Sequence, residues 1–311
     1  MMGAALAKLP CIVGPTGVGK SAIAVGLAKR LGAEIVSVDA FQFYRGLPIG
    51  TNYPEEAWLR EVPHHFIACR EPHEAWSAPR FAQEALALLR EKARQGIPMV
   101  VVGGSGFYLR ALLEGAPEGE APDPDLRAMV MERYETLGPE AAHAWLAERD
   151  PQTAQRLHPN DAMRVRRALE KTFAPPPTDT LAYEPWGASN ALVLGLEMPR
   201  EKLDERLKHR SEAMWRGGLL DETRGLLARK VPEGPPVWGA IGYKEAADYL
   251  AGHLTEAAAL ERVYRRTRQY AKRQGTWFRH HHQTEWVNLD SFPDPEAVVL
   301  YLARRLGGQS T

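Results

Sequence analysis

Residues 9–32 read LPCIVGPTGVGKSAIAVGLAKRLG: a short apolar run, a glycine-rich turn, and an amphipathic stretch that stops at Gly32. The turn fits G-x-x-x-x-G-K-[ST], with Gly14, Gly19, Lys20 and Ser21 in register. A strand must deliver the chain into such a turn and a helix must leave it, because the phosphate-binding N–H groups belong to the turn and the first helical residues. Gly14, Pro15, Thr16, Gly17, Val18 and Gly19, continuing into Lys20 and Ser21, are therefore expected to wrap a phosphate chain. Lys20 adds a charge there, and the Ser21 hydroxyl is available to Mg2+. The motif does not say whose phosphates these are.

The alternation continues along the chain. EIVSVD (Glu34–Asp39) and IPMVVVGG are apolar runs of strand length, and FAQEALALLREKARQG between them has helical spacing with a stop at Gly96. ALVLGLEM (Ala191–Met198) is expected to add a strand and TEWVNLD an edge strand, before a last amphipathic helix from Pro295 to Leu306. Strands alternating with helices predict an α/β fold, a P-loop NTPase-like parallel sheet flanked by helices. Two proline-rich stretches, GAPEGEAPDPD (Gly115–Asp125) and APPPTDTLAYEPWGAS (Ala174–Ser189), bracket a segment that reads as helices. They predict an inserted helical domain over 116–189, within a core made of 1–115 and 190–311.

Bulk properties narrow the function classes. Basic and acidic residues balance at 39 each, so a polyanionic partner must be met by a local basic surface and not by a global field. Cys11 and Cys69 are too few for a four-thiolate zinc site or a disulfide framework, and Cys11 reads as core. No apolar stretch approaches the roughly 20 residues of a membrane span. The phosphate loop begins too soon for a removable signal segment. A monomeric cytoplasmic enzyme is the expectation.

In an open parallel sheet, ligands bind beyond the carboxyl ends of the strands. DAFQFY after the second run and GGSGFY after the third share that edge with the phosphate loop. Asp39 fits a helix N-cap. It also fits a carboxylate that positions Mg2+ or water in an NTPase, or one that takes a proton from an acceptor hydroxyl in a small-molecule kinase. The glycines around Ser105 fit a tight turn with positive φ, and Ser105 is placed to approach a phosphate oxygen.

A second theme appears near the C-terminus. RVYRRTRQYAKRQGTWFRHHH carries seven Arg/Lys residues from Arg262 to Arg279 and no acid, with Tyr264, Tyr270, Trp277 and Phe278 interleaved. Guanidinium groups and aromatic faces suit the phosphates and unstacked bases of RNA. RVRRALEK forms another basic knot at the end of the predicted insertion. A solvated helix face usually mixes acids among its bases, as EAWLREVPHH does. His280–His282 is contiguous, so its side chains diverge and it reads as polar surface, not a metal site.

In order along the chain, GPTGVGKS, DAFQFYRGLPIGT, VPHHF, WSAPRF, VVGGSGFYLRALLEG, LHPNDAMRVRRALE, GAIGYKE and RQYAKRQGTWFR resemble the successive motifs of the tRNA dimethylallyltransferase (tRNA isopentenyltransferase) family, bacterial type. The likeness runs from Leu9 to Arg279. It implies transfer of a dimethylallyl group from dimethylallyl diphosphate, with Mg2+, to N6 of adenine 37 beside the anticodon, in tRNAs reading codons that begin with U. The loop then holds the donor's diphosphate and Ser21 the metal. Lys20, Asp39 and Ser105 are implied to be catalytic, Asp39 as base toward the amine.

The same resemblance assigns further residues. Asp39, Ala40, Phe41 and Gln42, with Ser105 and Arg127, are implied to meet the adenine or the donor within the bound tRNA. Met163, Arg164, Val165, Arg166 and Arg167 are implied to line the tRNA path. So are Gly239, Ala240, Ile241, Gly242, Tyr243 and Lys244. Lys272, Arg273, Gln274 and Gly275 complete the path with Thr276, Trp277, Phe278 and Arg279. The family usually has Ser where this chain has Ala40, which excludes a side-chain hydrogen bond there, and Thr where it has Ser105, which keeps the hydroxyl. Competing classes are a P-loop small-molecule kinase, which needs ATP, and an adenine-nucleotide prenyltransferase, which needs neither the helical insertion nor the basic tract.

Overall fold

The computed structural model describes residues 6–74, 76–115, 124–174, 183–231 and 236–307. The proline-rich stretches fall largely outside them. The chain divides into two compact units, Met1–Ala116 with Glu184–Thr311, and Pro117–Tyr183.

Among the described residues, six strands of the first unit form one sheet: β1 (Leu9–Val13), β2 (Glu34–Val38), β3 (His64–His65), β4 (Met99–Gly103), β5 (Ala191–Glu197) and β6 (Thr284–Asn288). Their order is β3-β2-β4-β1-β5-β6, and every pairing is parallel. β1 is central, with Cys11 level with Val101 of β4 and Val193 of β5. All five of its residues are buried, as a strand covered on both faces requires. β6 is an edge strand, as its sequence suggested. The other edge, β3, is a pair of histidines held beside Ile35 and Val36 by backbone pairing, so no hydrophobic pattern announces it.

Four helices precede the second unit: α1 (Lys20–Leu31), α2 (Glu56–Glu61), α3 (Ala78–Arg94) and α4 (Gly106–Glu114). That unit contains α5 (Pro124–Ala147), α6 (Pro151–Arg156) and α7 (Ala162–Phe173). The chain continues through α8 (Arg200–Met214), α9 (Leu220–Ala228), α10 (Tyr243–Leu250), α11 (Glu256–His281) and α12 (Pro295–Leu306).

α1 ends at Gly32, whose left-handed backbone lets its N–H bond the Ala28 carbonyl. α12 packs on α1 closely enough that a Cβ at Gly26 would lie 2.8 Å from Val299 Cγ2. Ile23, Leu27, Ile35, Leu194, Val298 and Leu302 fill the core on this face of the sheet. α3 starts at Ala78, three residues before the run read from sequence, because the Ser77 hydroxyl accepts the Arg80 N–H and caps it. Phe43, Trp76, Phe81 and Tyr108 form an aromatic cluster beside it.

α11 has 26 residues, about 39 Å at 1.5 Å per residue. Ala259, Val263, Ala271, Gln274, Gly275 and Phe278 form its buried stripe. The second unit has its own core of Val130, Tyr134, Trp145, Leu146, Val165 and Leu169. There α5 is broken at Gly138 (φ 77°), just before Pro139. Among the described residues, no helix is long and apolar enough to cross a membrane.

Candidate active site

A cavity of about 310 Å3 lies where β1, β2 and β4 end, lined among others by Gly17, Lys20, Ser21, Asp39, Gln42 and Arg210. The loop after β1 needs its glycines for two reasons. Gly14, Gly17 and Gly19 have φ of 135°, 82° and 105°, which other residues rarely adopt. Gly14 also lies so near the neighbouring strand that a Cβ would sit 2.4 Å from the Leu196 carbonyl oxygen.

Two cations serve this loop. Lys20 Nζ donates to the Pro15 carbonyl at 2.8 Å. Arg210, on α8, donates from Nη1 to Thr16 Oγ1 at 2.9 Å. Burial, and then the Arg210 charge, lower the Lys20 ammonium to about 7, with the Asp39 charge opposing. Burial also lowers Arg210 from its ordinary value, with Asp39 again opposing. Arg210 was not among the residues singled out from sequence. Nothing in KHRSEAMW marks it, and only the packing of α8 against the loop brings it in.

Asp39 Oδ1 accepts the N–H groups of Phe41 (2.9 Å) and Gln42 (3.3 Å). This is capping geometry without a helix: the segment is a turn closed by the Tyr44 N–H on the Phe41 carbonyl. Asp39 Oδ2 has no hydrogen-bond partner among the described residues. Burial raises its carboxyl above the usual range, against the two N–H bonds and the charges of Lys20 and Arg210.

Ser105 joins the two strand-end motifs, since its Oγ accepts the Ala40 N–H at 3.0 Å. Position 40 thus contributes its backbone, and an alanine serves. Tyr270 of α11 lies beside Ser105 and Gln274. It also lines the cavity. The sequence offered only its place among the aromatics of the basic tract. The glycines beside Ser105 do not have the positive φ expected of them. Close approach is their reason: a Cβ at Gly103, Gly104 or Gly106 would lie 1.9–2.1 Å from Val38 O, Gln274 Nε2 or Trp277 Cδ1.

One cavity wall is residues 51–55. Gln42 holds it, donating from Nε2 to the Asn52 carbonyl at 2.7 Å while Oε1 accepts the Ser37 hydroxyl at 2.9 Å. Glu222 of α9 anchors the preceding turn by accepting the Ile49 and Gly50 N–H groups and the Tyr243 hydroxyl, at 2.7, 2.9 and 2.8 Å.

The residues assigned to a tRNA path separate by burial. Gly239, Lys244, Lys272, Arg273 and Thr276 are exposed in the first unit. So is Arg279, although it pairs with Glu197 at 2.6 Å. Gly239 lies beside the Phe41 ring. Arg127, Met163 and Arg164 are exposed in the second unit, where Arg127 and Arg167 both reach Glu170. Arg166 is half-buried there over the Tyr134 ring, and Ile241 is half-buried in the first unit.

Val165, Ala240, Tyr243 and Phe278 have core side chains, and Gly242, Gln274 and Gly275 are also buried. Side-chain contact with RNA from Val165, Ala240, Tyr243 or Phe278 is therefore corrected to a packing role. Trp277 packs on Gly106 and over the His281 ring at 4.0 Å. His282 is corrected too: its imidazole is 2% exposed and lies 3.3 Å from Glu114, not on the polar surface.

The basic tract divides in the same way. Arg266 is bonded to Glu245, and Arg268 to Asp204 at 2.9 Å. Arg262, Arg265, Lys272 and Arg273 are exposed with no acidic partner among the described residues. At 100° per residue these four lie within roughly 100° of helix surface. Lys244 shares a recess with Arg262 and Arg265.

Among the described residues no group of three or more His, Cys, Asp or Glu side chains is placed to hold a metal. The Ser21 hydroxyl on this cavity nevertheless suits Mg2+, which keeps waters and takes phosphate oxygens beside one or two protein ligands.

A family model described as IPP transferase matches residues 42–281. The chain belongs to the IPP transferase family. A tRNA dimethylallyltransferase of Anaeromyxobacter dehalogenans is 43% identical over 284 residues, covering 90% of this chain and 92% of the relative. One from Symbiobacterium thermophilum is 42% identical over 298 residues, covering 93% and 92%. The crystal structure of a full-length tRNA isopentenylpyrophosphate transferase from Bacillus halodurans aligns with a TM-score of 0.71 at 35% identity, over 97% of this chain and 96% of that one. The membership read from the ordered motifs is borne out, as is the α/β architecture of an IPP transferase.

Proposed function

We infer that this chain transfers a dimethylallyl group from dimethylallyl diphosphate to N6 of adenine 37 in tRNA. The observation that carries the reading is the meeting, in one cavity, of a phosphate loop served by Lys20 and Arg210 with the half-buried carboxylate of Asp39. Loop amides and the two cations bind the diphosphate. They stabilise the negative charge that grows on it as the allylic C–O bond breaks. The new bond forms between that carbon and N6. The amine proton passes to Asp39 Oδ2, held in place because Oδ1 is fixed by two N–H groups. Ser105 keeps the turn after β2 in register by binding Ala40. Mg2+, when held by the Ser21 hydroxyl and the diphosphate, supplies further neutralisation of the leaving group.

The acceptor reading rests on the four cations along α11 that have no acidic partner among the described residues, and on Lys244 beside two of them, which suit a phosphate backbone. The second unit, with Arg127, Met163 and Arg164 exposed, is proposed as a tRNA-contacting domain. Mass spectrometry of nucleosides from tRNA incubated with the protein, Mg2+ and dimethylallyl diphosphate tests the whole reading. A dimethylallyl adduct on adenosine is expected without ATP. Strict dependence on ATP, with no adduct, overturns it.

A further inference from the structure

Gln274 stands in the middle of the basic tract, yet its side chain is 5% exposed. Its Oε1 accepts the Thr16 N–H at 2.7 Å, and its Nε2 donates to the Gly104 carbonyl at 2.9 Å. The site is shaped for this amide, since a Cβ at Gly104 would lie 2.1 Å from Nε2. Acceptor and donor ends are both needed: one meets an N–H and the other a C=O.

The two partners matter more than the bonds themselves. Thr16 belongs to the phosphate loop. With its N–H occupied by Gln274 and the Val18 N–H turned to the Pro15 carbonyl, the backbone at these two positions sets the loop, and the N–H groups of Gly17, Gly19 and Lys20 are left to the ligand. Gly104 immediately precedes Ser105, which holds the turn carrying Asp39 through Ala40. Tyr270, one helical turn before Gln274, lies beside both Gln274 and Ser105. Lys272 and Arg273, in the same turn of α11, face solvent.

We propose that Gln274 is a positioning residue and not a tRNA contact, fixing the diphosphate loop and the Ser105 turn to α11 through one amide. The inference rests on the diphosphate reading of the loop. It also means that the helix offering cations to RNA is the helix that holds the donor site in shape.

Gln274→Met and Gln274→Glu test this, with inorganic pyrophosphate and an anticodon stem-loop as separate probes and thermal melting as a fold check. Gln274→Met should weaken pyrophosphate binding about tenfold or more, with stem-loop affinity unchanged within about twofold. A Gln274→Glu carboxylate has no donor for Gly104, but once protonated it offers one C=O and one O–H, the pattern of the amide. Burial raises a carboxyl at this position above its ordinary value of about 4.3, so the variant's pyrophosphate affinity relative to wild type should climb toward one as pH falls from about 8 to about 5. A pH-independent ratio overturns the proposal even if Gln274→Met does not fold. So does a folded Gln274→Met that keeps pyrophosphate affinity or loses stem-loop affinity. A wild-type protein that does not bind pyrophosphate is a different result, because it removes the diphosphate reading itself.

Discussion

Arg210 and Thr16, 194 residues apart, are joined by a 2.9 Å hydrogen bond from Nη1 to Oγ1. The bond aims a half-buried guanidinium at the phosphate loop, and Arg210 Nε has no hydrogen-bond partner among the described residues. A diphosphate supplies one. Arg210→Met should lower kcat by on the order of 10² and raise KM for dimethylallyl diphosphate. Steady-state kinetics with varied donor checks this, and tRNA affinity should hold.

Lys20 is the second test. At about 7, its ammonium is largely neutral at pH 8 in the free protein. An arriving anion favours the charged form, so binding takes up a proton and affinity rises as pH falls toward 7. Calorimetry of pyrophosphate binding at pH 8, in buffers of differing ionisation enthalpy, should register uptake approaching about one proton. Lys20→Met should abolish the buffer dependence.

In the proposed reaction Asp39 acts as the carboxylate, and burial raises its pKa. The rate should therefore fall as pH drops through a value above the ordinary aspartate range of about 3.9. Asp39→Asn should slow single-turnover prenyl transfer by on the order of 10²–10⁴, with stem-loop affinity little changed. A role limited to closing the turn predicts a lowered melting point with a normal rate.

The wall anchored by Glu222 gives a stability prediction. A Cβ at Gly50 would lie 2.3 Å from the Tyr243 ring, so Gly50→Ala should cost about 1–3 kcal/mol by overpacking. Tyr243→Phe leaves the space filled and removes one hydrogen bond to Glu222, at about 1 kcal/mol. Urea denaturation of the two variants should rank them in that order.

The basic face of α11 is tested by neutralising Arg262, Arg265 and Lys272 together. These three have no acidic partner among the described residues, whereas Arg268 is held by Asp204. Each lost phosphate contact should flatten the salt dependence of stem-loop binding by roughly 0.7–0.9 in log–log slope. Fluorescence titrations at several salt concentrations read it. An unchanged slope assigns the face to solvent.

What could be read from the sequence was what is encoded locally. The phosphate loop, the buried β1, β2, β4 and β5, and Asp39 and Ser105 at their strand ends follow from short patterns. Arg210, Glu222 and Tyr270 do not, because each acts through the docking of a helix whose own sequence is unremarkable. Gln274 carried a wrong expectation for a related reason. Its neighbours Lys272 and Arg273 are basic, and only the buried phase set by Val263, Ala271 and Phe278 turns it inward. Composition marked the tract, and helical phase decided which of its residues face solvent.

The bond between Thr16 and Gln274 spans 258 residues, which sets an order of assembly. The ribosome makes the loop long before it makes the partner. β1 likewise waits for β5 on one side while pairing with β4 on the other. Contacts this distant in sequence form slowly and late. A chain interrupted anywhere before α11 would carry the entire phosphate motif and have no finished place to put a phosphate.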